Sequence, residues 1–138
     1  MSITYIEAIR EAQARALAED PRVFIYGQDI GSFGGAFKAT KNLSADFPGR
    51  VMDAPISEDA IVGLGVGAAI EGRRPIIEMQ YADFSTVAFN QIVNQAATLF
   101  WRTNLPDISP EVCRQWTDIS QTHVRICCKR IRRSACSI

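Results

Sequence analysis

A repeated alternation restricts the fold of this chain more than any other feature. Three short runs, Val23-Phe24-Ile25-Tyr26, Arg50-Val51-Met52-Asp53 and Ile76-Ile77-Glu78-Met79-Gln80-Tyr81, each lie between segments of helical pattern. Parallel strands need a crossover long enough to hold a helix, so this alternation predicts an α/β fold with a mostly parallel sheet. Helices should cover both faces, giving three layers. Three strands make a thin sheet for this class, and two or three more would be usual. The sheet is therefore expected to be incomplete on its C-terminal side. The 138 residues suffice for one compact domain.

The helical segments carry their own boundary signals. Thr4 and Glu7 have the spacing of a capping box, and the Ala/Glu/Arg-rich run that follows reads as helix to Glu19, stopped by Asp20-Pro21. Ile6, Ile9, Ala16 and Leu17 are its expected buried face. The segment from Lys38 to Phe47 reads as a short helix. The glycine-rich stretch from Gln28 to Gly35 has neither a P-loop ending nor dinucleotide spacing, so a flexible loop is expected there. A helix is predicted from Glu58 to Glu71, with Gly72 as its stop. Its interior glycines Gly63, Gly65 and Gly67 each cost about 1 kcal/mol relative to alanine, which points to close packing against another helix or a subunit. Ser85 is positioned to cap a last helix from about Thr86 to Trp101. Ala88, Ile92, Ala96 and Leu99 form its apolar stripe, with Phe89, Val93, Ala97 and Phe100 alongside. No charge falls between Phe84 and Trp101, as suits a helix set against a partner.

The candidate site is the stretch Asp53-Ala54-Pro55-Ile56-Ser57-Glu58-Asp59. Pro55 blocks helix before this point, and Ser57 can cap a helix that starts at Glu58. Glu58 then stands in a first helical turn at the carboxyl end of a strand, the edge where open α/β sheets bind ligands. The plainer alternative is an acid that complements the helix dipole.

Composition excludes little in the first three quarters of the chain. Overall, 47% of residues are hydrophobic, 22% are charged, and fifteen basic residues balance fifteen acidic ones. No apolar run is long enough to span a bilayer, no targeting peptide is visible, and the expected location is the cytoplasm. Neither nucleic acid nor a membrane is an expected partner. The charge is unevenly placed, with a net of −3 over residues 1–105 and +3 over residues 106–138. The second segment also holds all four cysteines and none of the nine glycines. Cys113, Cys127, Cys128 and Cys136 contain no Cys-x-x-Cys pair, so zinc binding with His123 is not supported and no metal site is expected. The basic cluster Lys129-Arg130-Ile131-Arg132-Arg133 lacks the interleaved aromatics of a nucleic-acid surface. The expected organisation is a partial domain over residues 1–105 and a basic, cysteine-containing tail over 106–138 that is out of frame or disordered, the preferred reading being that the natural reading frame is lost shortly after Leu105. Reading the genomic DNA past codon 105 tests this. An alternative frame that does not spell a glycine-containing α/β continuation rules it out.

With Glu58, Gln80 and Phe84 in place, residues 3–105 resemble the start of the beta subunit of thiamine-diphosphate-dependent 2-oxo acid dehydrogenases, of the pyruvate and branched-chain types. The resemblance runs through Val23 to Ile30, Asp53 to Glu58, the small-residue helix to Gly72, Arg74 to Glu78 and Phe84 to Ala97. It implies a transketolase-like pyrimidine-binding domain that holds the pyrimidine half of thiamine diphosphate. A separate alpha subunit holds the diphosphate and Mg²⁺ in an α2β2 assembly. The implied reaction is decarboxylation of a 2-oxo acid and acyl transfer to the lipoyl group of an acyltransferase partner. Glu58 matches the family's glutamate that hydrogen-bonds a ring nitrogen of the aminopyrimidine. That bond favours the imino tautomer, which removes the thiazolium proton. Phe84 matches the aromatic stacked on the pyrimidine, and Ile56 and Gln80 match its other neighbours. Read without the resemblance, Ile56 and Phe84 are equally compatible with plain core, and Gln80 with a polar strand end.

The departures are informative. The family's beta subunit continues through further strands, a potassium site and a C-terminal domain. It also carries a channel-lining histidine followed by serine and glutamine. His123 lies between Thr122 and Val124 in unmatched text, so that role is not carried over. The chain is expected to be a fragment, inactive alone. The stretch Gln80 to Phe84 leans toward the branched-chain type, without fixing the 2-oxo acid. Two alternatives stay open: another thiamine-diphosphate enzyme of the transketolase or deoxyxylulose phosphate synthase type, and a non-catalytic subunit that only docks on an alpha partner.

Overall fold

The computed structural model describes residues 3–99 and Arg102. The expectations for Phe100, Trp101 and the segment 106–138, with its cysteines, His123 and basic cluster, lie outside the described residues. In chain order the elements are α1 (Tyr5–Glu19), β1 (Val23–Gly27), α2 (Leu43–Asp46), β2 (Val51–Asp53), α3 (Glu58–Ile70) and β3 (Arg74–Glu78). A 3₁₀ turn (Ala82–Thr86) and a π-helical segment (Asn90–Ala96) follow. The strands are parallel in the order β2-β1-β3, with Ile25 opposite both Val51 and Ile76. This is the predicted α/β architecture.

The pleat of β1 divides the core into two layers. On one side Val23 and Ile25 pack with Leu17 of α1, Ile30, Leu43 of α2 and Val51. On the other, Tyr26 packs against Ile61, Val62 and Val66 of α3, with Ile77 and Ala88. Successive strand residues point to opposite faces, so a central strand apolar at every position can hold helices on both. The stripe Ala88, Ile92, Ala96 and Leu99 packs on this second core as predicted.

Several boundaries differ from the sequence reading, each for a local reason. The capping box forms, with the Thr4 N–H donating to Glu7 Oε2 at 2.8 Å and the Glu7 N–H to Thr4 Oγ1 at 3.3 Å. Leu17 is buried on α1, but Ile6 is exposed and Gln13 is buried instead. The helix expected from Lys38 shrinks to Leu43–Asp46, because Lys38 (φ 62°) and Asn42 (φ 67°) are left-handed. Strand β3 begins at Arg74 and ends at Glu78, two to three residues ahead of the prediction. Pro75 is tolerated inside it because the Arg74 N–H donates to Arg22 on the β1 side, leaving the proline nitrogen toward the open edge. The last helix is not a regular α-helix: the Ala97 N–H reaches Ile92 O, five residues back. Ser85 does not cap it; its hydroxyl donates to Ala82 O. Phe89, expected beside the apolar stripe, is 60% exposed.

Candidate active site

The carboxyl ends of β2, β1 and β3 are Asp53, Gly27 and Glu78, aligned by the parallel register. In the order β2-β1-β3 the connections reverse between β1 and β3, the switch point where open α/β sheets take their ligands. The Ala54 N–H donates to Gly27 O at 2.7 Å, so β2 stays beside β1 until Pro55 turns the chain away.

Glu58 opens α3, as predicted, and is partly buried. Its Oε1 accepts from Gln28 Nε2 at 3.1 Å. Gln28 immediately follows β1 and is itself buried. The expected cap from Ser57 does not form. Ser57 has φ −167° and ψ 87°, unlike the extended backbone (φ −72°, ψ 160°) with which Thr4 makes its cap. The next residue, Asp59, accepts from Gln91 Nε2 at 3.1 Å. Neighbouring elements thus hold the first turn of α3 where its own cap does not.

The other candidates fall on the same edge. Ile56 is 83% exposed in the β2–α3 connection, which removes its plain-core alternative. Gln80 lies beyond the end of β3, partly buried in the exit loop. Phe84 is partly buried in the 3₁₀ turn, its ring 5.3 Å from Tyr81 and nearly edge-on. Tyr81 in turn meets Phe37 of the β1–α2 loop at 5.8 Å. The structure therefore gathers Ile56, Glu58, Gln80 and Phe84 on one edge. Within that edge Glu58 is bonded by Gln28, and Phe84 meets Tyr81.

The loop that carries Gln28 is tied down, against the expectation of a flexible segment. The Gly31 N–H donates to Asp53 Oδ1 at 2.7 Å, Thr40 Oγ1 to Ile30 O at 2.8 Å, and Arg10 Nε to Lys41 O at 2.8 Å. A Cβ at Gly31 would sit 2.5 Å from Asp53 Oδ2, so a larger residue there would displace the carboxylate that holds the loop.

Sequence reasoning missed Glu78 and Gln28. Glu78 is 5% exposed, and its Oε2 has no hydrogen-bond partner. Burial, helped by the negative charge of Asp29, pushes its carboxyl up to about 7. It fills the switch point closely: a Cβ at Gly27 would lie 2.7 Å from its Cβ. The available signal was one acid inside an apolar strand run. For Gln28 it was a polar residue at a strand's carboxyl end. Among the described residues no three His, Cys, Asp or Glu gather as metal ligands, and no helix is long and apolar enough to cross a membrane.

This geometry offers one carboxylate oxygen beyond the reach of Gln28, a partly buried aromatic ring and an exposed isoleucine. Those are the components needed to grip a flat heterocycle by a ring nitrogen and its face. The profile of the family described as "Transketolase, pyrimidine binding domain" matches residues 1–106. The chain is 48% identical over 113 residues to the 2-oxoisovalerate dehydrogenase subunit beta of Bacillus subtilis, covering 81% of this chain and 35% of that protein. It is 41% identical over 114 residues to the protein of the same name in Pseudomonas aeruginosa, covering 82% and 33%. It is 50% identical over 95 residues to the pyruvate dehydrogenase E1 component subunit beta of Mycoplasma pneumoniae, covering 68% and 29%. The chain thus spans about a third of the length of these relatives.

Proposed function

Because this chain belongs to the transketolase pyrimidine-binding domain family, we propose that it is the pyrimidine-holding part of a 2-oxo acid dehydrogenase beta subunit. The observation that carries this reading is the placement of Glu58: first in α3, at the carboxyl edge of the sheet, with one carboxylate oxygen held by Gln28. When bound, thiamine diphosphate would supply an acidic carbon whose conjugate base can add to the 2-oxo acid, and the electron sink for loss of carbon dioxide. This chain supplies orientation and proton control. Glu58 hydrogen-bonds a ring nitrogen of the pyrimidine through the oxygen that Gln28 leaves. Phe84 packs on the ring face, while Ile56 and Gln80 border it. Ile56 loses its exposure when the ring and the partner subunit cover it.

In this reading the alpha subunit completes the site, holding the diphosphate and Mg²⁺ in an α2β2 assembly, and the acyl product passes to a lipoyl-bearing acyltransferase. The names of the relatives favour this reading over transketolase or deoxyxylulose phosphate synthase. They leave the pyruvate and branched-chain types both open. The test is co-expression with an alpha subunit of the same family. Retention of thiamine diphosphate by the co-purified complex, with a 2-oxo acid turned over, is the expected result. Stable docking with no turnover would replace the enzyme reading by that of a non-catalytic subunit. No docking and no coenzyme would overturn both.

A further inference from the structure

We propose that Gln28 and Gln91 are positioning residues that clamp the first turn of α3, and with it Glu58, from two different elements. The inference rests on the functional reading of Glu58 and adds the device that holds its carboxylate in place.

Helix α3 starts without the usual means of fixing its first turn, since Ser57 makes no side-chain cap. Two adjacent acids, Glu58 and Asp59, stand there instead, drawn by the helix dipole. A glutamate side chain gives up rotamer freedom when fixed, and dipole attraction alone does not set its geometry. Each acid has one amide donor, and the donors come from different elements. Gln28 reaches Glu58 from the end of β1 at 3.1 Å, and Gln91 reaches Asp59 from the π-helical segment, also at 3.1 Å. A neutral amide fixes an oxygen without adding a cation beside the ring site.

Gly63 ties the second half of this clamp to the sequence. It lies one turn beyond Asp59 on α3, and a Cβ there would come within 3.3 Å of Gln91 Cδ and Oε1. The interior glycine therefore leaves room for the Gln91 amide to lie along α3 and reach Asp59. Gln28 acts on Glu58 directly. Gln91 acts through Asp59 and the turn that the two acids share.

The test is peptide-resolved hydrogen exchange of residues 57–62 in the full chain, comparing wild type with Gln28→Met, Gln91→Met, Gln28→Glu and Gln91→Glu at pH 8. Methionine keeps the length and removes the donor. Glutamate keeps the shape but, when ionised, turns the donor into a second negative acceptor. Exchange should rise about tenfold in all four variants, the loss of one charge-assisted hydrogen bond, with the melting temperature within a few degrees of wild type. Wild-type exchange in the methionine variants, or in the glutamate variants alone, would overturn the clamp; the latter would mean that packing and not the donor matters. In the complex with the alpha subunit, Gln28→Met and Gln91→Met should lower kcat at least tenfold and leave KM for the 2-oxo acid unchanged, because small misplacements of a reacting group are costly. A raised KM at constant kcat would also overturn it. A wild-type complex with no turnover refutes the functional reading, and the exchange experiment still decides the clamp.

Discussion

Two carboxyl groups on one sheet edge have opposite surroundings. Glu58 has an amide donor on one oxygen, whereas Glu78 is sealed behind Gly27 with Oε2 unpaired. Burying a charge without a partner is unfavourable, so Glu78 holds its proton up to about pH 7 in the fold, against an ordinary value of 4.5. The folded state then binds more protons than the unfolded state between these values. The stability associated with protonated Glu78 is complete below about 4.5 and is lost as pH rises through about 7. Glu78→Gln, which cannot ionise, should match wild type in denaturant melts at pH 5 and exceed it by about 2 kcal/mol at pH 8. A difference that does not change with pH would contradict the burial argument. Glu58 could be located in the sequence because Pro55 and the following apolar pattern announce a helix start. Gln28 could not be linked to it, because a contact across thirty positions depends on which strands are neighbours.

At the scale of elements, the three interior glycines of α3 looked alike in sequence and differ in the fold. Gly63 faces Gln91 at close range, whereas a Cβ at Gly67 would meet nothing within 4 Å. The expectation of close packing therefore holds for Gly63 and not for Gly67 within the described residues. Gly67→Ala should stabilise the chain by about 0.5–1 kcal/mol through helix propensity and a less flexible unfolded state. Gly63→Ala should gain less or lose, since Gln91 must shift; equal gains in thermal melts would contradict the assigned contact. Element order and the packed stripe of Ala88, Ile92, Ala96 and Leu99 were readable from period alone. The boundaries were not. The early start of β3 answers to the bond from the Arg74 N–H to Arg22 O, a contact that a local pattern does not carry, and left-handed Lys38 and Asn42 and the five-residue hydrogen bond at Ala97 leave no mark in the apolar period.

At the scale of the described residues together, the edge that carries the site also exposes large apolar side chains. Ile56, Phe33, Phe37 and Tyr81 are all about half exposed or more, and among the described residues β3 pairs only with β1. Exposed apolar area next to an open strand edge favours association. In the absence of an alpha partner the chain should sediment as a concentration-dependent mixture. A single monomer boundary together with a cooperative melt would count against this. We propose that what a partner and the coenzyme meet at that edge is Glu58, acting on the proton chemistry of thiamine diphosphate from the pyrimidine side. The most direct test of this proposal is the rate at which the thiazolium C2 proton of the bound coenzyme exchanges with deuterium in the complex with the alpha subunit, comparing wild type with Glu58→Gln. Exchange slowed by about 10²-fold or more, with the coenzyme still bound, is the predicted result. Exchange at the wild-type rate would show that Glu58 has no part in the reaction.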